Sequence, residues 1–483
     1  MMNKRNLSLV MDFYELTMSQ VYFNENKLDE IVTFDLFYRK NPDNAGYTVC
    51  AGLEQVIEFV SNFHFDKSDI DYLRSTNQFT EDFLKYLENF KFKGDIYAIP
   101  EGTPVFPNEP LVRVKGNIIE AQLLETALLL SINHQTMIAT KARRICEAAQ
   151  GRAIMEFGAR RSHNFDAAIY GARAAYIGGV SGSATVFAGK EFGMNVLGTM
   201  AHSFVQSFDT EYDAFLAYAK SYPKSCTLLL DTYDTLRSGL KNAIKVAKDY
   251  LIPNGYRLAG VRIDSGDMAY LSKQIRQELD ANDLNDCKIV ISNSLDEFLI
   301  QSLLLQGAKI DSMGVGENLI CSKSTPVFGG VYKLSSIYEN GRAVPKIKRS
   351  ENIEKITNPG YKDLYRIYDI ETNMALADVM SLHTEKLNEN EDLTIYHQMN
   401  TWKNKTFKAG TYRLRPLLEP IFKKGKLFYK TPSIEEIREY SKEEFKTIWE
   451  EIQRFAYPQT YYVDLTKKLS NLKHKLLADI ENK

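Results

Sequence analysis

The chain has 483 residues, and its 60 Lys and Arg residues are balanced by 62 Asp and Glu residues, which gives a formal net charge of −2. This balance excludes a general nucleic-acid-binding protein, because binding by counterion release needs a clustered basic excess. No run approaches the roughly 18 apolar residues of a membrane span. The five cysteines are scattered, without a C-x-x-C pair, and indicate reduced thiols. We therefore expect a soluble, cytoplasmic protein of two or three domains.

The first 145 residues mix helical and strand patterns. Residues 14–24 have the spacing of a helix, and Ile31–Tyr38 alternates as a strand does. Residues 95–114 form a series of short apolar runs broken by prolines. We predict an α+β domain over residues 1–145.

From residue 146 to residue 340 the chain changes to short apolar runs, each followed by a helical pattern. A spacing of about 20 to 40 residues is typical of repeated βα units and predicts a parallel sheet. The runs are residues 153–157, 195–198, 227–230, 258–263, 288–291, 309–313 and 331–334. Because the runs number about seven, we favour an irregular TIM-like α/β barrel. An open doubly wound sheet is less favoured because its G-x-G-x-x-G signature is missing.

The C-terminal segment, residues 341–483, begins with a lysine-rich stretch and continues with alternating patterns. We predict that it returns to the N-terminal α+β domain and ends in two helices. The first helix is predicted from a capping box, Ser441 to Glu444, and the second from a leucine stripe over residues 465–480.

Polar residues follow several of the predicted strands, where the carboxyl ends of parallel strands meet at one edge. Arg262 and Asp264 lie two residues apart, so a strand directs both side chains to the same face. Asp267 precedes a predicted helix whose first turn offers free N–H groups to an anion. Taken alone, these residues also fit a structural Arg–Asp pair followed by a helix cap.

Other predicted strands end in similar groups. Thr199 and His202 follow one strand, and Phe157 with Arg160 and Arg161 follow another. Further candidates at strand ends or glycine loops are Asp231, Thr232, Asn293, Ser294, Gly314, Gly316, Gly329 and Gly330. The arginines are suited to binding anions, and the histidine can act as a nucleophile. Carboxylates beside loops that bind phosphate indicate Mg²⁺, and Asp264 and Asp267 are its candidate ligands. The residues predict phosphate-ester or nucleotide chemistry.

Eight motifs, in order and spread over nearly the whole chain, resemble those of the nicotinate phosphoribosyltransferase family. They are residues 12–20 (DFYELTMSQ), 101–103 (EGT), 132–141 (INHQTMIATK), 156–161 (EFGARR), 198–202 (GTMAH), 262–267 (RIDSGD), 329–333 (GGVYK) and 345–348 (PKIK). The resemblance implies a dimeric enzyme that couples nicotinate to 5-phosphoribosyl 1-diphosphate, forms nicotinate mononucleotide and diphosphate, and hydrolyses ATP.

The resemblance also implies roles for single residues. Tyr14 of one subunit and Phe157 of the other would sandwich the pyridine ring, and Thr199 with Arg262 would contact the nicotinate carboxylate. His202 would be phosphorylated by ATP, with Arg262 and Asp264 beside it in the catalytic centre. The implied phosphate or ribose contacts are Arg39, Arg160, Asp264, Gly316, Lys333, Lys346, Lys355 and Lys362.

Two positions depart from the family pattern or discriminate between its relatives. Glu317 stands where the family usually has Thr, and a carboxylate there would repel phosphate unless it were turned away or bound to metal. Ala184 stands where the related nicotinamide-using enzymes have an acidic residue, which favours nicotinate. The alternatives are a nicotinamide phosphoribosyltransferase and a metabolite sensor without turnover; a quinolinate phosphoribosyltransferase is disfavoured by chain length.

Overall fold

The computed structural model describes residues 5–481, and the chain divides into two compact units. The first unit comprises residues 1–137 and 327–483, and the second comprises residues 138–326. Across residues 5–481, no helix has the length and apolar character needed to cross a membrane.

The first unit contains two large sheets and a short ribbon that pairs Thr48–Val49 with Pro104–Val105. The strands of the seven-stranded antiparallel sheet are, in spatial order, Arg342–Pro345, Gly330–Glu339, Ile31–Tyr38, Val112–Asn117, Asp95–Ala98, Glu419–Lys423 and Lys426–Leu427. The strands of the six-stranded sheet are Asn404–Phe407, Leu393–Tyr396, Val463–Thr466, Ala375–Leu382, Lys362–Asp369 and Tyr412–Pro416. Ile31–Tyr38 has the predicted bounds, is buried over nearly all of its length, and pairs with a strand on each side.

Helices cover these sheets. They are Phe13–Asn24, Leu53–Asn62, Lys67–Ser75, Glu81–Glu88, Ile118–Gln122, Ile434–Phe445, Glu450–Gln453 and Lys467–Glu481, and Glu125–Ala148 begins in the first unit and ends in the second. Phe13–Asn24 starts with a capping box in which Asp12 and Glu15 exchange hydrogen bonds with each other's backbone N–H. This cap fixes the start of the helix that carries Tyr14.

The second unit is built on a six-stranded parallel sheet, as the βα rhythm predicts. The strands are, in spatial order, Gly182–Ser183, Ala153–Glu156, Ser312–Val315, Lys288–Ser292, Gly260–Ile263 and Thr227–Leu229. The connecting helices are Phe165–Ile177, Val186–Phe192, His202–Gln206, Glu211–Ser221, a continuous helix from Thr235–Gly239 through Leu240–Val246 to Ala247–Leu251, Met268–Ala281, Glu297–Leu305 and Glu317–Ile320.

The parallel sheet curls. Val196 is bridged to Ser183 at one edge, yet Thr199, only three residues later, accepts a hydrogen bond from Arg262 near the other edge. In a flat sheet about five spacings of about 4.8 Å would separate these positions. Three extended residues span at most about 11 Å, and an arginine side chain does not make up the difference. The second unit therefore contains a half-barrel, and the pairing among the described residues does not join the two edges into a closed barrel.

Three details correct the sequence prediction. The run 331–334 lies in Gly330–Glu339, which pairs antiparallel with Ile31–Tyr38 in the first unit and is not a barrel strand. The first C-terminal helix begins at Ile434, because Ser433 and Glu436 form the capping box in place of Ser441 and Glu444. Leu465 lies in the strand Val463–Thr466, and the last helix starts after it.

Candidate active site

Arg262 is held at the carboxyl edge of the parallel sheet. Its guanidinium donates one hydrogen bond to the Thr199 hydroxyl and another to the Met200 carbonyl oxygen at 3.1 Å. Burial lowers the pKa of Arg262, and the charges of Asp264 and Asp231 oppose that effect. Arginine keeps its charge through such a change, so a cation stands beside a hydroxyl group, as recognition of a carboxylate requires.

His202 lies close to Asp264 at the same edge. Its Nδ1 atom is 3.1 Å from Thr232 Oγ1, and its Nε2 atom is 3.9 Å from Asp264 Oδ2. The His202 and Asp264 side chains are 40% and 37% exposed, so a substrate in solution can reach both. Thr232 therefore restrains one ring nitrogen and leaves the other facing a carboxylate.

Two aspartates, Asp231 and Asp264, lie next to each other in this cluster. Asp231 Oδ2 accepts hydrogen bonds from the Asp264 backbone N at 3.0 Å and from Ser265 Oγ at 2.6 Å. Asp231 Oδ1 is buried without a hydrogen-bond partner within residues 5–481. Asp264 itself accepts a hydrogen bond from Ser292. The sequence marked Asp231 and Thr232 only as polar strand ends, and Ser292 was missed.

These carboxylates fit a magnesium ion only in part. No group of three or more metal-binding side chains occurs in the described part of the chain. Mg²⁺ is commonly held by one or two carboxylates together with substrate phosphates and water, and Asp264 with the unpartnered oxygen of Asp231 meets that requirement. Asp267 caps the helix Met268–Ala281, since its Oδ1 atom accepts a hydrogen bond from Tyr270 N at 2.9 Å. Its assignment as a magnesium ligand stays a prediction.

Phe157 follows the strand Ala153–Glu156 and packs over the backbone of a neighbouring strand. A Cβ atom at Gly314 would lie 2.3 Å from the Phe157 ring, so only glycine permits this approach. The buried Glu156 carboxylate accepts hydrogen bonds from Ser183 Oγ and from the Gly158 backbone, which fixes the turn after Phe157. The exposed Ala184 donates its backbone N–H to the Glu156 carbonyl oxygen at 2.9 Å.

Glu317 is paired with its own cations. Its carboxylate lies 2.6 Å from Lys323 Nζ and 3.9 Å from Arg161 Nε, and the hydrogen bond and charge of Lys323 lower the pKa of Glu317. Gly316 precedes it at the start of the short helix Glu317–Ile320, and Arg160 is exposed. The Glu317 carboxylate is therefore paired with cations of this chain.

The remaining candidates lie in the first unit. Tyr14 is 42% exposed. Burial, followed by the charge of Glu125, raises the pKa of the Tyr14 hydroxyl, and Glu125 Oε1 lies 3.9 Å from Lys333 Nζ. The other three cations implied to contact phosphate or ribose are partly or fully exposed. Arg39 lies over the Phe37 ring, Lys346 is 3.8 Å from Glu339, and Lys355 is exposed on a short turn.

Lys362 has a structural role. It is 2% exposed, and its three ammonium hydrogens go to Asp35 Oδ2 at 2.6 Å and to the Asn358 and Gly360 carbonyl oxygens at 2.8 Å each. No donor remains for a phosphate oxygen, so the implied phosphate contact of Lys362 is corrected.

The best candidate for an active site is the cluster in the second unit. It consists of Arg262, Thr199, His202, Thr232, Asp231 and Asp264.

A curved parallel sheet with an arginine, a histidine and two aspartates at its carboxyl edge is typical of an enzyme of the α/β class. Three family models match the chain: the nicotinate phosphoribosyltransferase N-terminal domain over residues 9–133, the family itself over residues 152–363, and the C-terminal domain over residues 361–473. The chain belongs to the nicotinate phosphoribosyltransferase family.

Known relatives of this family match nearly the whole chain. The chain is 43% identical to the nicotinate phosphoribosyltransferase of Bacillus subtilis, covering 99% of this chain and 96% of that protein, and 33% identical to that of Dictyostelium discoideum, covering 98% and 88%. The crystal structure of human nicotinic acid phosphoribosyltransferase superposes with a TM-score of 0.86 at 28% identity, covering 96% of this chain and 99% of that one. A nicotinate-nucleotide pyrophosphorylase from Pyrococcus furiosus shares the fold, with a TM-score of 0.66 over 91% of this chain and 98% of that one, at 24% identity.

Proposed function

We propose that the protein synthesises nicotinate mononucleotide from nicotinate and 5-phosphoribosyl 1-diphosphate, releasing diphosphate, as a step of NAD salvage. The observation that carries this proposal is the Arg262–Thr199 pair at the edge that also holds His202 and Asp264. The names of the full-length relatives support the same reaction. We also propose that the half-barrel is a version of an irregular TIM-like barrel, since the segment 196–202 spans its open side.

Arg262 binds the nicotinate carboxylate as an ion pair, and the Thr199 hydroxyl, which already accepts from Arg262, donates its own hydrogen to the same carboxylate. Phe157 stacks on the pyridine ring from one side, and Tyr14 of a second subunit stacks on the other in a homodimer. The ring nitrogen carries a free lone pair, so it attacks the ribose C1 carbon without loss of a proton. No general base is needed for this step.

As diphosphate leaves, C1 develops oxocarbenium character and negative charge collects on the leaving group. Arg160, Arg39, Lys333, Lys346 and Lys355, with the Gly316 backbone, supply positive charge or N–H groups to the phosphates or ribose. A magnesium ion held by Asp264 and Asp231 would neutralise diphosphate charge. These residues orient the cosubstrate so that the bond to diphosphate breaks as the bond to nitrogen forms.

His202 couples the reaction to ATP. A neutral ring nitrogen attacks the γ-phosphorus, so an N–P bond forms while the bond between the γ-phosphorus and the bridging oxygen of ADP breaks. Hydrolysis of the phosphohistidine later returns the free ring and releases phosphate. Thr232, 3.1 Å from Nδ1, limits rotation of the imidazole during both steps.

The proposal is tested by measuring diphosphate and mononucleotide formation with nicotinate, nicotinamide or quinolinate, each with and without ATP. We expect turnover with nicotinate and stimulation by ATP. The exposed Ala184 offers no carboxylate to hold an amide, so preference for nicotinamide would contradict the substrate assignment.

The histidine step is tested with γ-labelled ATP. Wild type should acquire an acid-labile label that is absent from His202→Ala and retained in His64→Ala, a control in the first unit whose ring contacts the Asn62 carbonyl. His202→Ala should also lose ATP stimulation. A protein that neither takes up label nor releases diphosphate would be a metabolite sensor, the role for which Glu317 is the sequence argument.

A further inference from the structure

The strand Lys288–Ser292 ends in a hydroxyl group that contacts Asp264. Ser292 is 6% exposed, and its hydroxyl donates a hydrogen bond to Asp264 Oδ1. The two residues meet because the strand Gly260–Ile263, which Asp264 follows, pairs in parallel with Lys288–Ser292. The other oxygen of the same carboxylate, Asp264 Oδ2, lies 3.9 Å from His202 Nε2. Ser292 therefore occupies one carboxylate oxygen and leaves the other facing the imidazole.

The hydrogen bond from Ser292 determines how the Asp264 carboxylate is turned. Rotation about the last side-chain bond of an aspartate is only weakly restricted, and Asp264 is 37% exposed, so packing alone does not hold it. Asp231 fixes the Asp264 backbone, because its Oδ2 atom accepts from the Asp264 N at 3.0 Å, but that bond does not restrain the carboxylate. A buried hydroxyl that donates to Oδ1 supplies the missing restraint.

The turn that follows Ser292 has a strained backbone. Asn293 and Ser294 have φ angles of +89° and +51°, in the left-handed region that residues with a Cβ atom seldom adopt. Asn318 holds this turn, since its Nδ2 atom donates to the Ser294 carbonyl oxygen at 2.9 Å and to the Leu295 carbonyl oxygen at 3.1 Å. Strained residues persist where their surroundings fix them, and such positions cluster at functional sites. Asn318 therefore fixes the backbone immediately beyond the Ser292 hydroxyl.

We propose that Ser292 is a positioning residue for the phosphorylation of His202, because it turns Asp264 toward the imidazole, and that Asn318 supports it by holding the turn. This inference rests on the proposed function, in which His202 attacks the γ-phosphorus of ATP. As the N–P bond forms and the bond to the bridging oxygen of ADP breaks, the ring retains its N–H proton and becomes positively charged. A carboxylate held beside the ring stabilises that charge without having to reorient during the step.

The test is the initial rate at which γ-labelled ATP labels His202 in the full-length protein. Ser292→Ala should slow labelling by about 10- to 150-fold, the range that a hydrogen bond to a charged acceptor supports. Ser292→Thr keeps the hydroxyl and should be labelled within about threefold of the wild-type rate. Nicotinate affinity, measured by titration calorimetry, should stay within about twofold in Ser292→Ala, because the proposed carboxylate contacts are Arg262 and Thr199.

Asn318→Ala tests the support of the turn. Loss of its two neutral hydrogen bonds should slow labelling by about 3- to 10-fold and speed amide hydrogen exchange at residues 293–295. The double variant with Ser292→Ala should be labelled within about twofold of the Ser292→Ala rate, because both changes act through the same carboxylate. Losses that add in full would overturn the inference. Should Ser292→Ala fail to fold, labelling of Asn318→Ala at the wild-type rate would overturn it as well.

The control is Ser272→Ala, which changes a buried serine of the same unit. Ser272 is fully buried, and its hydroxyl donates to the Ala269 carbonyl oxygen at 3.2 Å and accepts from Lys309 N at 3.1 Å. Ser272→Ala should lower Tm and leave the labelling of His202 unchanged. Labelling of Ser292→Ala at the wild-type rate, or equal slowing in Ser272→Ala, would contradict the positioning role. A wild-type protein that takes up no label on His202 would instead refute the ATP step of the proposed function.

Discussion

Two clusters of charged side chains, one in each unit, differ in how deeply they are buried and in how closely their charges pair. In the first unit, Arg366 and Asp378 are fully buried and joined at 2.8 Å, Arg366 also donates to the Pro104 carbonyl oxygen, and Tyr461 donates to Asp378. In the second unit, His202 and Asp264 are more than a third exposed and 3.9 Å apart. Charges that are paired inside the core stabilise the fold, whereas charges that are partly exposed to solvent are available to a ligand.

The surroundings of the buried cluster sharpen this contrast. Glu109 lies beside Asp378, and burial together with the charge of Asp378 raises the pKa of Glu109. The charge of Arg366 keeps Asp378 ionised. One proton and one guanidinium therefore compensate two neighbouring carboxyl groups inside the core.

The largest expected effect is loss of Arg366. Arg366→Met removes the cation and leaves Asp378 buried without it, so the free energy of unfolding should fall by about 3–5 kcal/mol. Urea unfolding measures this change. The control is Arg454→Met, since Arg454 pairs with Glu451 at 3.6 Å on the surface and should change stability by less than about 0.5 kcal/mol. Equal effects in the two variants would show that burial does not increase the contribution of Arg366 to stability.

The second effect concerns ligand binding. Arg262→Ala removes the proposed carboxylate partner, and the nicotinate KM should rise about 10- to 150-fold, because hydrogen bonds to charged groups contribute about 1.5–3 kcal/mol. The KM for 5-phosphoribosyl 1-diphosphate should change much less. Arg262→Lys should recover only part of the loss, since lysine cannot make the planar two-point contact. An unchanged nicotinate KM in Arg262→Ala would show that the cluster does not bind the carboxylate.

The sequence could predict structural features that depend only on residues close together in the chain. The alternation of Ile31–Tyr38 gave its exact bounds, and the two-residue spacing of Arg262 and Asp264 placed both at one sheet edge. Gly182–Ser183 was missed because two residues carry no periodic pattern. Alternation also reveals no partner strand, so Gly330–Glu339 was assigned to the wrong sheet.

Residue roles were predictable only where neighbours in sequence determine them. Lys362 and Arg262 are both cations in strands, and what separates them is Asp35, which is 327 residues from Lys362. Two capping patterns, at Ser433 and Ser441, fit the same rule, and tertiary packing selected the first.

The third effect is a gain in stability. Lys473 is 1% exposed, its ammonium donates to Asn358 Oδ1 at 2.8 Å, and burial, aided by the charge of Lys362, lowers its pKa from 10.5 to about 8. The folded state therefore binds fewer protons than the unfolded state between pH 8 and 10.5, so stability should rise with pH across that window.

Lys473→Met should remove the free-energy cost of burying the charged ammonium group. At pH 7 we expect a gain of about 2 kcal/mol after the lost hydrogen bond is allowed for, shrinking toward pH 10. Chemical unfolding at both pH values measures it. Lys475→Met, at an exposed position of the same helix, should change little at either pH. A destabilised Lys473→Met variant would mean that the fold compensates this charge as fully as it does that of Arg366.

The smallest effect is expected at Glu317, which is partly exposed and paired with cations at the surface. Its pairs with Lys323 and Arg161 are surface pairs, so Glu317→Thr should leave the urea midpoint of unfolding nearly unchanged. Removing its negative charge leaves Arg161 free to attract phosphate, so the KM for 5-phosphoribosyl 1-diphosphate should fall about two- to fivefold, an effect that salt should screen. Lys323→Ala exposes the Glu317 charge and should raise the same KM. Shifts in the same direction for both variants would show that Glu317 acts by contact with the cosubstrate rather than through its charge.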